Sequence, residues 1–196
     1  KAQGKGPWGS TGRAGVGGQG TLLASRILGN AFISLGYDVK VSEVHGMSQR
    51  GGSVVTYVKY GKEVFSPVIC RGEADFLLSF ELCETARYLP YLKKGGIVVT
   101  STQKINPMPV IMGAAKYPED IIGKIQSKGV KLMYADALQL AEECGSSKAA
   151  NVVLIGMFAK HSDIDKKVFL DAVDACVPEK FKELNRKAFE AGYSLD

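Results

Sequence analysis

Short apolar runs of strand length alternate with segments of helical period along most of this chain, and that order restricts the fold more than any single motif does. From Gln19 onward, Leu22, Leu23, Ile27, Leu28, Ala31 and Phe32 recur at three- and four-residue spacing, with Gly36 placed to end a helix. Strands are predicted at 38–42 and 53–60, with Gly61-Lys62 as a hairpin turn into 63–65. Further strands are predicted at 74–80, 97–100 (after a Gly95-Gly96 turn) and 130–134. Helices are predicted at 81–92, where Pro90 must end or distort the last turn, and at 121–127 and 136–143. Residues 101–118 hold Pro107, Pro109 and Pro118 without a clear period and read as an extended connection. The nearly all-apolar stretch 149–160 reads as a core helix, and amphipathic helices at 166–176 and 179–192 close the chain. Strands alternating with helices imply an α/β layer structure with a mostly parallel sheet, and the β-rich section at 38–65 adds an antiparallel β-hairpin.

At 196 residues one domain is expected, over 15–196. Residues 1–14 have almost no apolar content apart from Trp8 and cannot repay the entropy of ordering by burial. They read as a cloning remnant, a disordered arm or a badly determined first strand, although by composition Gly9-Ser10-Thr11-Gly12-Arg13-Ala14 does not qualify as a strand. The net charge of +5 falls to +2 without Lys1, Lys5 and Arg13, too little for a nucleic-acid footprint. No apolar run approaches membrane-span length and no signal peptide is read, so a cytoplasmic protein is expected, without a membrane partner. Cys70, Cys83, Cys144 and Cys176 form no C-x-x-C pair, so the chain offers no metal or iron–sulfur motif, and thiols in a reducing compartment fit better than disulfides.

The chemically densest stretch is Glu43-Val44-His45-Gly46-Met47-Ser48-Gln49-Arg50-Gly51-Gly52, between the second and third predicted strands. A strand connection needs only a few turn formers, and this one carries an acid, a histidine, a hydroxyl, an amide and a cation. Gly51 and Gly52 let a ligand or partner approach the backbone, and Arg50 offers a planar fork for carboxylate or phosphate. His45 can serve as an acid/base group, as a donor to a substrate carboxylate, or only as a loop anchor. A plain surface loop with solvated charges remains the alternative. Ahead of the first helix, Gly15-Val16-Gly17-Gly18-Gln19-Gly20 fits the dinucleotide fingerprint, with Glu43 about where a ribose-binding acid would fall. Alternatively, those glycines serve only the strand–helix turn. His161 reads as a helix-end residue without a role, and Lys148 and Asn151 either mark a helix amino terminus facing a cleft or belong to an ordinary capped helix, the latter preferred.

Together these residues resemble a family. Gly15 to Ala24, the string from Val41 to Val54, Ser66-Pro67-Val68-Ile69, Gly72-Glu73-Ala74-Asp75, Glu81 through Lys93, Gly95-Gly96 and Lys148-Ala149-Ala150-Asn151 look like the gamma-type domain of the 2-oxoacid:ferredoxin oxidoreductases, especially the indolepyruvate branch. The resemblance spans roughly residues 15–192 and implies a Rossmann-like sheet flanked by helices. It also implies a non-autonomous enzyme subunit that takes part in converting an arylpyruvate and coenzyme A to aryl-acetyl-CoA, carbon dioxide and reduced ferredoxin. No cofactor is expected on this chain alone. Thiamine diphosphate, Mg2+ and iron–sulfur clusters would sit on a larger partner subunit, with CoA as co-substrate and ferredoxin reached through the complex. His45, Ser48 and Arg50 would be the catalytic group. Gly17, Gly18, Gln19, Gly20, Glu43, Gln49, Gly51 and Gly52 would contact substrate or cofactor. An isolated chain would then self-associate through its uncovered interface. Competing readings are a gamma subunit for pyruvate, 2-oxoglutarate or branched-chain oxoacids, a nicotinamide-binding dehydrogenase, and a pure scaffolding subunit.

Overall fold

Successive strand residues point to opposite faces of a sheet, and in Leu77-Leu78 and Val98-Val99 both faces are apolar, which suits only a sheet covered on both sides. The computed structural model shows that arrangement; it describes residues 8–16 through their backbone, and residues 21–43 and 53–195 in full. In chain order the elements are β1 Trp8–Val16, α1 Thr21–Ser34, β2 Asp38–Glu43, β3 Ser53–Gly61, β4 Ala74–Ser79, α2 Leu82–Tyr88, β5 Leu92–Ser101, α3 Met108–Ile111, α4 Ile121–Gln126, β6 Lys131–Ala135, α5 Ala137–Glu143, α6 Ala150–Lys160, α7 Lys166–Cys176 and α8 Lys182–Tyr193. The described strands form one six-stranded sheet in the order β2-β3-β1-β4-β5-β6. β1, β4, β5 and β6 pair in parallel, while β3 runs antiparallel to both β1 and β2. The expected antiparallel hairpin is therefore β2–β3, and it is built into the sheet.

Leu78 and Val99 point into the larger core, shared with α1, α5, α6, α7 and α8. Leu77 and Val98 point the other way, into a smaller apolar cluster near Tyr88, Leu89 and Leu92, and beside it Leu82 of α2 packs with Ile121 and Ile125 of α4. Helix α6 is buried from Asn151 to Ala159, as its near-continuous apolar sequence requires. Gly156 and Gly192 let α6 and α8 touch backbone to backbone, since a Cβ on either would collide with a carbonyl of the other helix. Pro90 ends the 81–92 helix as expected, and the chain tightens there into a 3-10 turn, Leu89–Tyr91.

Four expectations need correction. Residues 8–14 do form strand, at the heart of the sheet, with β3 on one side and β4 on the other. Ladder bonds come from backbone N–H and C=O groups, which every non-proline residue carries, so an apolar composition was not required. Residues 1–7 lie outside the described residues. The 63–65 segment is no strand: Val64 is buried, and its N–H is taken by the Asp38 carboxylate at 2.8 Å. Gly95 and Gly96 sit within β5, where Gly95 takes a positive φ of 79° beside a register irregularity between Ala74 and Phe76. Finally, the 101–118 connection contains the short helix α3.

Candidate functional site

The topology itself locates a crevice. From β1 the chain passes through α1 to β2 on one side of the sheet, and from β4 it passes through α2 to β5 on the other side. The two crossovers diverge at the carboxyl ends of β1 and β4, the switch point at which open α/β sheets bind ligands. The crevice is flanked by the end of β1 at Val16, by the end of β2 at Glu43 with the start of β3 at Ser53, and by the start of α2. Ser53 pairs in register with Val16, which places the base of the β2–β3 connection beside the end of β1.

Most of the residues singled out from the sequence, Gly17, Gly18, Gln19, Gly20, His45, Ser48, Gln49, Arg50, Gly51 and Gly52, lie outside the described residues. What the structure does give is the frame on which they hang. Where the 44–52 connection begins, the buried Ser25 hydroxyl of α1 donates to Glu43 Oε1 at 2.6 Å. Where it ends, the Ser53 hydroxyl donates to Glu84 Oε2 of α2 and lies 3.4 Å from the Tyr88 hydroxyl. The connection is thus tied to a helix on one face of the sheet at its start and to a helix on the other face at its end.

Sequence reasoning missed the polar cluster behind this frame. Glu81 and Glu84 are 1% and 5% exposed, an unusual degree of burial for acids, and each is fully engaged in hydrogen bonds. Glu81 caps α2 by accepting from Glu84 N at 2.8 Å. Its other oxygen accepts from Ile105 N at 3.2 Å and from the Tyr117 hydroxyl. Glu84 also accepts from Arg87 Nε at 3.0 Å, a bond that holds the guanidinium firmly protonated. Beneath them the buried Thr85 and Thr100 hydroxyls meet at 2.7 Å, and Thr85 donates to the Glu81 carbonyl at 2.8 Å. Burial, then the bond to Glu81, raises the Tyr117 pKa, so the phenol stays a donor; burial, then the Glu81 charge, raises that of the Cys83 thiol. The legible signal was the polar string Ser79-Phe80-Glu81-Leu82-Cys83-Glu84-Thr85 at the end of an apolar strand, where α/β folds place their chemistry.

Size alone does not mark the site. Clefts of about 480 and 550 Å³ open at the opposite, amino edge of the sheet, lined by Lys93, Lys94 and Lys128 in one and by Lys59, Phe65 and Glu73 in the other. A cleft of about 380 Å³ between α1 and β2 has Ser25 and Glu43 in its wall. Among the described residues no three or more His, Cys, Asp or Glu side chains gather where a metal ion could be held. Cys70 lies ahead of β4, Cys83 on α2, Cys144 just after α5 and Cys176 at the end of α7, so this donor set does not fit an iron–sulfur cluster. His161 ends α6, and its pKa is lowered by burial and then by Lys131 and Lys160. Among the described residues no helix is long and apolar enough to cross a membrane.

Residues 13–195 match the family model described as pyruvate ferredoxin/flavodoxin oxidoreductase. The chain belongs to that family. It is a component of a ferredoxin-dependent oxoacid oxidoreductase, as its resemblance implied. It is 45% identical over 183 residues to the indolepyruvate oxidoreductase subunit IorB of Thermococcus kodakarensis, covering 91% of each chain. The pyruvate/ketoisovalerate oxidoreductases common subunit gamma of the same organism is 26% identical over 191 residues, covering 92% of each. Among solved structures, the keto/oxoacid ferredoxin oxidoreductase gamma subunit of Geobacter sulfurreducens superposes with a TM-score of 0.70 at 26% identity, over 94% of this chain and 96% of that one. These oxidoreductase relatives are themselves named as subunits, so the family fold works as one part of a larger assembly.

Proposed function

We propose that this chain is the small subunit of an indolepyruvate:ferredoxin oxidoreductase of the cytoplasm. The observation that carries the substrate is the identity gap within one organism: 45% to the indolepyruvate oxidoreductase subunit against 26% to the gamma subunit shared by the pyruvate and ketoisovalerate enzymes. In the reaction, the bond from carboxylate carbon to keto carbon breaks, carbon dioxide leaves, and the acyl carbon joins the sulfur of CoA. A pair of electrons passes to oxidised ferredoxin and the thiol proton goes to solvent. Thiamine diphosphate, bound with Mg2+ on the larger partner subunit beside its iron–sulfur clusters, supplies the electron sink for decarboxylation.

This chain contributes position and charge. Arg50, Ser48 and Gln49 contact an anionic or polar part of the bound ligand, and His45 and Glu43 shape the cleft. Gly51 and Gly52 admit close approach, and Gly17, Gly18, Gln19 and Gly20, just ahead of α1, are assigned to contact with an anionic part of substrate or cofactor. The Ser25–Glu43 and Ser53–Glu84 bonds support this reading, because they hold the ends of the 44–52 connection to α1 and α2 on the two faces of the sheet.

The test is anaerobic co-purification with the partner subunit, followed by CoA-dependent ferredoxin reduction. Indolepyruvate is expected to be turned over faster than pyruvate or 2-oxoglutarate, and the reverse order would move the chain to another branch of the family. Arg50→Ala is expected to lower kcat/KM roughly 100-fold with the complex intact. Unchanged turnover would reduce the chain to a scaffold.

A further inference from the structure

Helix α3 presents its apolar side chains to solvent. Met108, Ile111 and Met112 are 61%, 64% and 68% exposed, and their spacing puts them on one face of the turn. Single exposed apolar residues are ordinary, whereas three long ones side by side on an ordered helix mark a contact surface.

The order of this segment is enforced from below. Pro107 and Pro109 open the turn, Met112 N donates to the Met108 carbonyl at 2.9 Å, and Gly113 closes it with a φ of 74°. Both of its roots are fastened to the first turn of α2. Leu82 N donates to the Gln103 carbonyl at 3.0 Å and Ile105 N donates to Glu81. On the far side, Tyr117 donates to Glu81 and accepts from Cys83 N at 3.1 Å. Part-buried hydrogen bonds thus hold an apolar knob out into water, an arrangement that gains nothing for the isolated chain.

We infer that Met108, Ile111 and Met112 form a docking knob that inserts into an apolar groove of the larger partner subunit beside the active-site cleft. Three observations choose that occupant. The knob follows β5 and therefore sits on the carboxyl edge of the sheet, with the switch-point crevice. It is fastened to the same turn of α2 whose Glu84 holds Ser53, so a partner seated on the knob is placed in register with the start of β3. And the same fold matches only 31% of a longer 2-oxoglutarate:ferredoxin oxidoreductase chain, where further protein is covalently attached to it. Methionine suits such a contact because its unbranched side chain adapts to the groove that receives it.

The inference rests on the subunit reading, and one experiment separates the two. The complex is assembled anaerobically from this chain and the larger subunit, and the affinity between them is titrated. A triple variant, Met108→Ser, Ile111→Ser and Met112→Ser, is expected to weaken assembly roughly tenfold or more while the Tm of the isolated chain stays put, since the replaced side chains are exposed. Ile111→Ser alone is expected to weaken it less, in the same direction. A control, Phe65→Ser with Val68→Ser, alters exposed apolar residues at the opposite edge and is expected to assemble as the unaltered chain does. Unchanged affinity of the triple variant in a complex that forms and reduces ferredoxin overturns the knob and leaves the subunit reading standing. Loss of only a self-dimer in that variant assigns the knob to a second copy and overturns the inference. Failure of the unaltered chain to bind the larger subunit overturns both.

Discussion

The two faces of the sheet are held by different forces. Behind one face lies the larger core, where α6 is buried almost throughout and meets α8 so closely that glycine is needed at 156 and 192. Behind the other, α2 and α4 bury a smaller apolar set, and α2 starts in a network of buried acids, threonines and a tyrosine. Apolar burial is strong but non-directional, whereas hydrogen bonds to a carboxylate fix where particular segments go. The first face therefore supplies most of the stability and, through Ser25, one fastening of the rim at Glu43. The second places the rest of the rim of the crevice, namely Ser53 through Glu84 and the 103–117 segment through Glu81.

The sharpest way to break that contrast is to crowd the apolar face. Gly192→Ala or Gly156→Ala puts a methyl against a backbone carbonyl of the neighbouring helix, which cannot rotate away. Each is expected to cost about 3 kcal/mol or more in denaturant unfolding, cooperatively and without a local signature. Glu81→Ala strikes the other face. It leaves Glu84 N, Ile105 N and the Tyr117 hydroxyl without their acceptor and is expected to cost about 2–3 kcal/mol. Its distinguishing mark is faster amide exchange confined to 102–118 and the start of α2; uniform loosening would erase the proposed division of labour.

Ser25→Ala and Ser53→Ala sharpen the comparison further. Each removes one fastening of the 44–52 connection and is expected to cost only about 1 kcal/mol of stability. Each should nevertheless lower turnover of the assembled complex several-fold, which kinetics at matched assembly would show. The smallest effect is electrostatic. The folded state lowers the pKa of His161, so the unfolded chain takes up that proton first as pH falls. Stability is expected to be present above about pH 6.5 and lost as pH drops from there through the folded-state value. His161→Gln should flatten that part of a Tm-against-pH curve.

Most of the fold was legible because its signals are local. The period of 22–32, the unbroken apolar run of 149–160, Asp136 ahead of α5 and Gly36 after α1 each announce an element through neighbours in sequence. Trp8–Val16 was misread because its place depends on β3 and β4, whose backbones pair with it from far along the chain. The site was legible only in part for the same reason. The dense stretch from Glu43 to Gly52 stood out by chemistry alone, while Glu81 and Glu84 look like ordinary surface acids of a helix start until the chain closes over them.

By itself, then, the sequence determined most of the order of elements from α1 onward, the α/β layering and the family, because apolar periodicity and a specific residue string are properties of neighbours. Only the tertiary structure decided that β3 slots between β2 and β1, that two glutamates become buried acceptors, and that Met108, Ile111 and Met112 stay outside. Those outcomes depend on which distant backbone donors arrive within hydrogen-bonding reach and which apolar surface finds no partner within the chain, and no local pattern encodes either.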